Sequence, residues 1–218
     1  MGFNYSSPIF IKNKITPFVL YTNFKLNYLA HCYLSGNNDE LLIGNFIADH
    51  VKGNMIDRFS ESIKSGIFLH RAIDEFTDQH PIVTQSKVRL RNEFRKYAPV
   101  IVDVFYDHFL ARDWEQYHHL ALNDFAQNVY SLLENNNSIL PERTKYMLNY
   151  MKFQNWLVGY AQIEGMEKAL SGLARRTNFE SKMEFAHIAL KENYNDFEKE
   201  FSEFFEELRL FVSSITLK

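Results

Sequence analysis

Apolar residues recur along most of this chain at intervals of three and four, the spacing that gives an α-helix one buried stripe. A short segment at 27–31 ends at the turn Ser35-Gly36-Asn37-Asn38. Residues 40 to about 51 follow; they turn Leu41, Leu42, Phe46 and Ile47 inward and carry Asn45 and Asp49 one turn apart on one side. Ser60 or Ser62 opens a third helix, which stops before Pro81 because proline cannot continue the hydrogen-bond ladder. Within it, His70, Asp74 and Thr77 fall within roughly 60° of one another, with Asp78 at the edge of that face. Ile67, Ile73 and Phe76 supply apolar surface on the flank, which holds the polar face against protein. Further helical patterns cover 84–97, 100–114, 125–133, 147–160, 164–175 and 196–212.

Composition agrees with this pattern. Five Pro and eight Gly in 218 residues favour long helices over a sandwich of short strands, and the length suits one hydrophobic core. The expectation is a single all-α domain, a helical bundle over 27–218, preceded by a loosely packed extension at 1–26 in which Lys12, Lys14 and Pro17 break up the short apolar pieces. No run approaches the roughly 18 apolar residues of a membrane span. The lone Cys32 excludes an internal disulfide and any cysteine-based zinc or iron–sulfur site, which fits a reducing cytoplasm.

The candidate chemistry lies between His31 and His108. His31, Asp49, His70, Asp74, Asp107 and His108 come from four separate predicted helices, several in apolar windows where an unpaired charge is costly. A divalent cation is one remedy for converging carboxylates. The other is a network of His–Asp and Arg–Asp pairs, with Arg71 and Arg112 as available partners. Imidazole and carboxylate ligands without thiolate suit Mn²⁺, Fe²⁺ or Mg²⁺ and argue against a structural zinc. Such an ion points to metal-assisted hydrolysis. No nucleophile elbow, phosphate-binding loop or dinucleotide fingerprint occurs.

Four blocks carry a family resemblance. Asn27-Tyr-Leu-Ala-His31, Gly44-Asn-Phe-Ile-Ala-Asp49, Gly66-Ile-Phe-Leu-His-Arg-Ala-Ile-Asp74 with Thr77-Asp78, and Asp103-Val-Phe-Tyr-Asp-His-Phe-Leu110 resemble, in order and spacing, the bacterial acyl carrier protein phosphodiesterases. The likeness runs from about residue 27 to 212. It implies an HD-domain-like helical fold with His and Asp ligands, although the adjacent pair here is reversed, Asp107-His108. It also implies a Mn²⁺-preferring hydrolase that cleaves the phosphodiester joining 4′-phosphopantetheine to a serine of holo acyl carrier protein.

With that resemblance, Asp49, His70, Asp74 and Asp107 are the first-choice ligands, and His31 and His108 the second. Arg71 is a phosphate contact or carboxylate partner. Asp78 orients a ligand histidine from behind, and Asn45 meets a phosphoryl oxygen. Lys87, Arg89, Arg91, Arg95 and Lys96 form a basic segment expected to steer an acidic carrier protein, unless they are a solvated face. Nucleic acid is a poorer partner for a chain of net charge −3 with one basic helix. Two other functions stay open: hydrolysis of a nucleotide or other small phosphodiester, and a non-catalytic helical interaction protein.

Overall fold

The computed structural model describes residues 27–216, which are helical with short connections; no strand occurs among them. The expected N-terminal extension lies outside the described residues. Helix α1 spans Tyr28–Leu34, α2 Asp39–Ile47, α3 Glu61–Gln79, α4 Pro81–Phe94 and α5 Ala98–Arg112. Then come α6 Leu122–Asn135, α7 Glu142–Phe153, α8 Trp156–Gly159, α9 Ile163–Ala174, α10 Ala186–Glu192 and α11 Tyr194–Thr216.

Local chemistry sets most boundaries. The Asn38 side chain accepts from the Leu41 N–H to start α2, and Ser60 accepts from Ile63 to start α3. Pro81 ends α3 and also serves as the first residue of α4, so α4 begins three residues before the expected 84. The pattern at 40–51 proves to be two elements, because α2 closes at Ile47 and Ala48–His50 tightens into a 3₁₀ turn. A second 3₁₀ stretch, Gly53–Arg58, separates it from α3. The pattern at 147–160 also divides, at Asn155, whose φ of 47° is left-handed and cannot continue a helix. The short α10 has no counterpart in the sequence reading.

Helix α5 is the central post. Ile101, Val102, Val104, Phe105, Phe109 and Leu110 are all fully buried and cover its whole circumference, so Asp103 and Asp107 are buried with them. Helix α11 lays Phe197, Phe201, Phe204 and Phe205 across α4 and α5, which accounts for part of the high phenylalanine content. On the other side, α2 and α3 press backbone to backbone. A Cβ added to Gly44 would lie 2.0 Å from the Ile63 carbonyl oxygen, and one on Gly66 would lie 2.2 Å from the Leu41 carbonyl oxygen. Only paired glycines permit that approach, and it carries Asn45 of α2 against His70 of α3.

Candidate metal centre

His31, near the C-terminal end of α1, and His70, in the middle of α3, stack face to face with ring centroids 4.1 Å apart and planes 22° apart. Behind them sits Asn45, fully buried. Its Nδ2 donates to the His31 carbonyl (3.0 Å) and to Ser35 Oγ (3.0 Å), while the Ser35 hydroxyl donates to that same carbonyl at 2.8 Å. Those acceptors fix the amide's orientation. Asn45 Oδ1 therefore faces both rings, 2.7 Å from His31 Nδ1 and 3.2 Å from His70 Nδ1. A carbonyl oxygen only accepts, so each Nδ1 carries a proton and, in the neutral ring, each Nε2 presents a lone pair on the opposite edge.

Both lone pairs point at carboxylates. Asp74 Oδ1 lies 3.4 Å from His31 Nε2, Asp74 Oδ2 lies 3.3 Å from His70 Nε2, and Asp49 Oδ1 lies 3.5 Å from His70 Nε2. No described residue gives either Nε2 a hydrogen bond. Acceptors face acceptors, an arrangement that requires a positive charge between them. A proton meets that need in part. Burial opposes the charged form of His70, but Asp49 and Asp74 outweigh it and raise its pKa to about 9. Burial and the neighbouring His70 ring pull His31 down. Asp74 is held well below the ordinary carboxylate range, because the two imidazoles outweigh its own burial. A divalent cation answers the same need at both rings: one ligand atom from each of His31, His70 and Asp74 lies within 4.8 Å of the others, so the residues fit such an ion. Asp49 stands at the rim beside His70.

The other expected site residues lie elsewhere. Asp107 is engaged by another helix: its two oxygens accept from the backbone N–H groups of Leu29 and Ala30, both at 2.9 Å. Those are first-turn donors of α1, which the Asn27 side chain leaves unserved. A carboxylate from α5 thus caps α1 at its positive end and fixes the helix that carries His31. Burial raises the Asp107 pKa well above its usual value, and the two N–H groups partly offset this. His108 is also engaged on both nitrogens, at 2.8 Å from the Tyr160 carbonyl oxygen and 2.9 Å from the Tyr194 hydroxyl. The reversed doublet therefore lies outside the cluster.

Asp78 is exposed and pairs with Lys87 at 2.9 Å. Asn45 has both amide donors engaged by protein acceptors, so it orients imidazoles and does not reach a phosphoryl oxygen. Arg71 is exposed on α3, with its guanidinium 5.8 Å from the Phe68 ring centroid and no ion pair to Asp49 or Asp74. Of the basic segment, Lys87 is paired with Asp78, and Arg89 turns inward to Glu200 at 2.7 Å. Arg91, Arg95 and Lys96 are exposed along a groove of about 590 Å³. The crossing glycines and Ser35 escaped the sequence reading; Gly44 beside Asn45, and Gly66 one turn before His70, were the available signal.

Two oriented imidazoles and a carboxylate converging on one point in an all-helical protein have the donor set of a His/Asp metal site. Comparison with known proteins is more specific. Residues 26–208 match the family model described as acyl carrier protein phosphodiesterase, and the chain belongs to that family. It is 33% identical over 181 residues to an acyl carrier protein phosphodiesterase of Photorhabdus laumondii, covering 83% of this chain and 91% of that protein. The proteins of that name from Serratia proteamaculans and Escherichia coli are each 32% identical, with 84% and 83% of this chain and 95% and 94% of those proteins covered. No solved structure matches. No helix among the described residues is long and apolar enough to cross a membrane.

Proposed function

We propose that this protein is a metal-dependent phosphodiesterase that removes 4′-phosphopantetheine from holo acyl carrier protein, leaving the apo carrier protein. The observation that carries the reading is the pair of Nε2 lone pairs aimed with Asp74 at one point, in a chain of this family. His31, His70 and Asp74 would hold the ion, with Asp49 adding an oxygen from the rim. A divalent cation, for which Mn²⁺ is the best candidate with an imidazole and carboxylate set, supplies Lewis-acid stabilisation of charge at phosphorus. Asn45 keeps both rings in the ligating tautomer. Asp49, the more exposed of the two carboxylates, would orient an incoming water or take its proton. A purely structural His–Asp network fits less well, since a proton can serve His70 while burial and the neighbouring ring keep His31 neutral, with its Nε2 lone pair facing Asp74 Oδ1 at 3.4 Å.

Incubation with Mn²⁺ and holo carrier protein, followed by intact-mass measurement of the carrier, tests the reading. The expected result is loss of the phosphopantetheine mass with wild type and not with Asp74→Ala. An unchanged carrier alongside turnover of a nucleotide would overturn it in favour of a small-phosphodiester hydrolase. Unchanged substrates of both kinds, with no bound metal, would favour an interaction protein.

A further inference from the structure

A groove of about 810 Å³ lies away from the basic helix. One wall starts at His50, the residue after the rim carboxylate Asp49, and continues through Lys52 and Arg58 of the 3₁₀ stretch; the other is Arg143 and Lys145 at the start of α7. The walls are tied together where His50 Nδ1 meets Thr144 Oγ1 at 2.8 Å. Glu142 is the one acid in the lining, and it is already paired with Lys145 at 2.7 Å. Lys52 and Arg58 are exposed and make no ion pair with a described residue. Gly53, at φ 55°, turns the chain sharply after Lys52. Between the cations the lining includes Phe59, Ile139 and Leu140.

An apolar floor with a cationic rim is complementary to an amphipathic helix with acids along its edges. We infer that this groove docks an acidic amphipathic helix of the protein substrate, setting its modified serine beside Asp49. The inference rests on the functional reading above. It prefers this groove to the α4 segment, where Arg91, Arg95 and Lys96 are also exposed, because its wall begins at His50, the residue after Asp49.

The test is steady-state kinetics on holo carrier protein at low and high salt for Lys52→Glu/Arg58→Glu and, separately, Arg91→Glu/Arg95→Glu. Docking in the groove raises KM about tenfold or more in the first pair at low salt. That effect shrinks as salt rises, and kcat changes far less than KM. The α4 pair stays within about twofold of wild-type KM. A KM that rises in the α4 pair and not in the groove pair overturns the inference. So does a groove pair with wild-type KM but weaker inhibition by free phosphopantetheine, which would make the groove a small-anion site. Wild-type protein that leaves holo carrier protein intact fails the functional reading itself, a different outcome from turnover with unaltered KM.

Discussion

Asn45 accepts from two imidazoles at once, and truncating it leaves two buried Nδ1–H groups without an acceptor and both rings free to turn. Asn45→Ala should therefore weaken Mn²⁺ affinity about 10- to 100-fold, as loss of a group that orients metal-ligating histidines typically does; titration calorimetry on the folded variant measures it. Asp107→Ala should behave differently. It strands the Leu29 and Ala30 N–H groups and costs about 2–4 kcal/mol of stability, yet saturating Mn²⁺ still binds the folded protein. Lost metal binding with an unchanged melting temperature would make Asp107 a ligand after all. The sequence could not separate these roles. A carboxylate at helical spacing in an apolar window needs compensation, and an ion and a pair of N–H groups satisfy it equally well. The donors lie 78 and 77 residues away, on a helix whose own cap is silent. For His70 and Asp74 the two members sit one turn apart on a single helix, so periodicity alone brought them together.

At the level of helices, the site depends on how closely α2 and α3 cross. Gly66→Ala puts a methyl 2.2 Å from a backbone carbonyl that has no flexible end to move, so the helices must separate. The expected cost is about 1–3 kcal/mol, accompanied by weaker metal binding as Asn45 withdraws from His70. Gly172→Ala is the matched comparison. That glycine also lies in a helix, but nothing lies within 4 Å of an added Cβ, so the variant should be neutral or up to about 1 kcal/mol more stable. Equal melting temperatures and metal affinities for the two variants would show that the crossing does not govern the site. Helix existence was legible from the apolar stripes. Helix ends were less so: a 3₁₀ turn at Ala48–His50 preserves roughly the same stripe as an α-helix over one turn, yet it determines where Asp49 sits relative to His70.

Across the whole molecule, an all-helical chain with one hydrophobic core follows from few Gly and Pro and from apolar stripes at helical period. Composition did not reveal that α5 would be buried all around, because a fully apolar circumference has no periodic contrast to read. Helix α1 packs on that post, α2 on α1 and α3 on α2, through tertiary contacts that no local signal encodes, so ordering the His–Asp cluster and folding the domain are coupled. An ion that binds the folded chain and not the unfolded one then stabilises it by RT ln(1 + [L]/Kd), about 2.7 kcal/mol at a hundredfold excess over Kd. For a domain of this size, that corresponds to a rise in melting temperature of roughly 5–10 °C. Differential scanning fluorimetry with Mn²⁺ should show the rise in wild type, its reversal by chelator, and no rise in His31→Ala or Asp74→Ala. An equal rise in those two variants would assign the binding to surface carboxylates and remove the ion from the His31, His70 and Asp74 cluster.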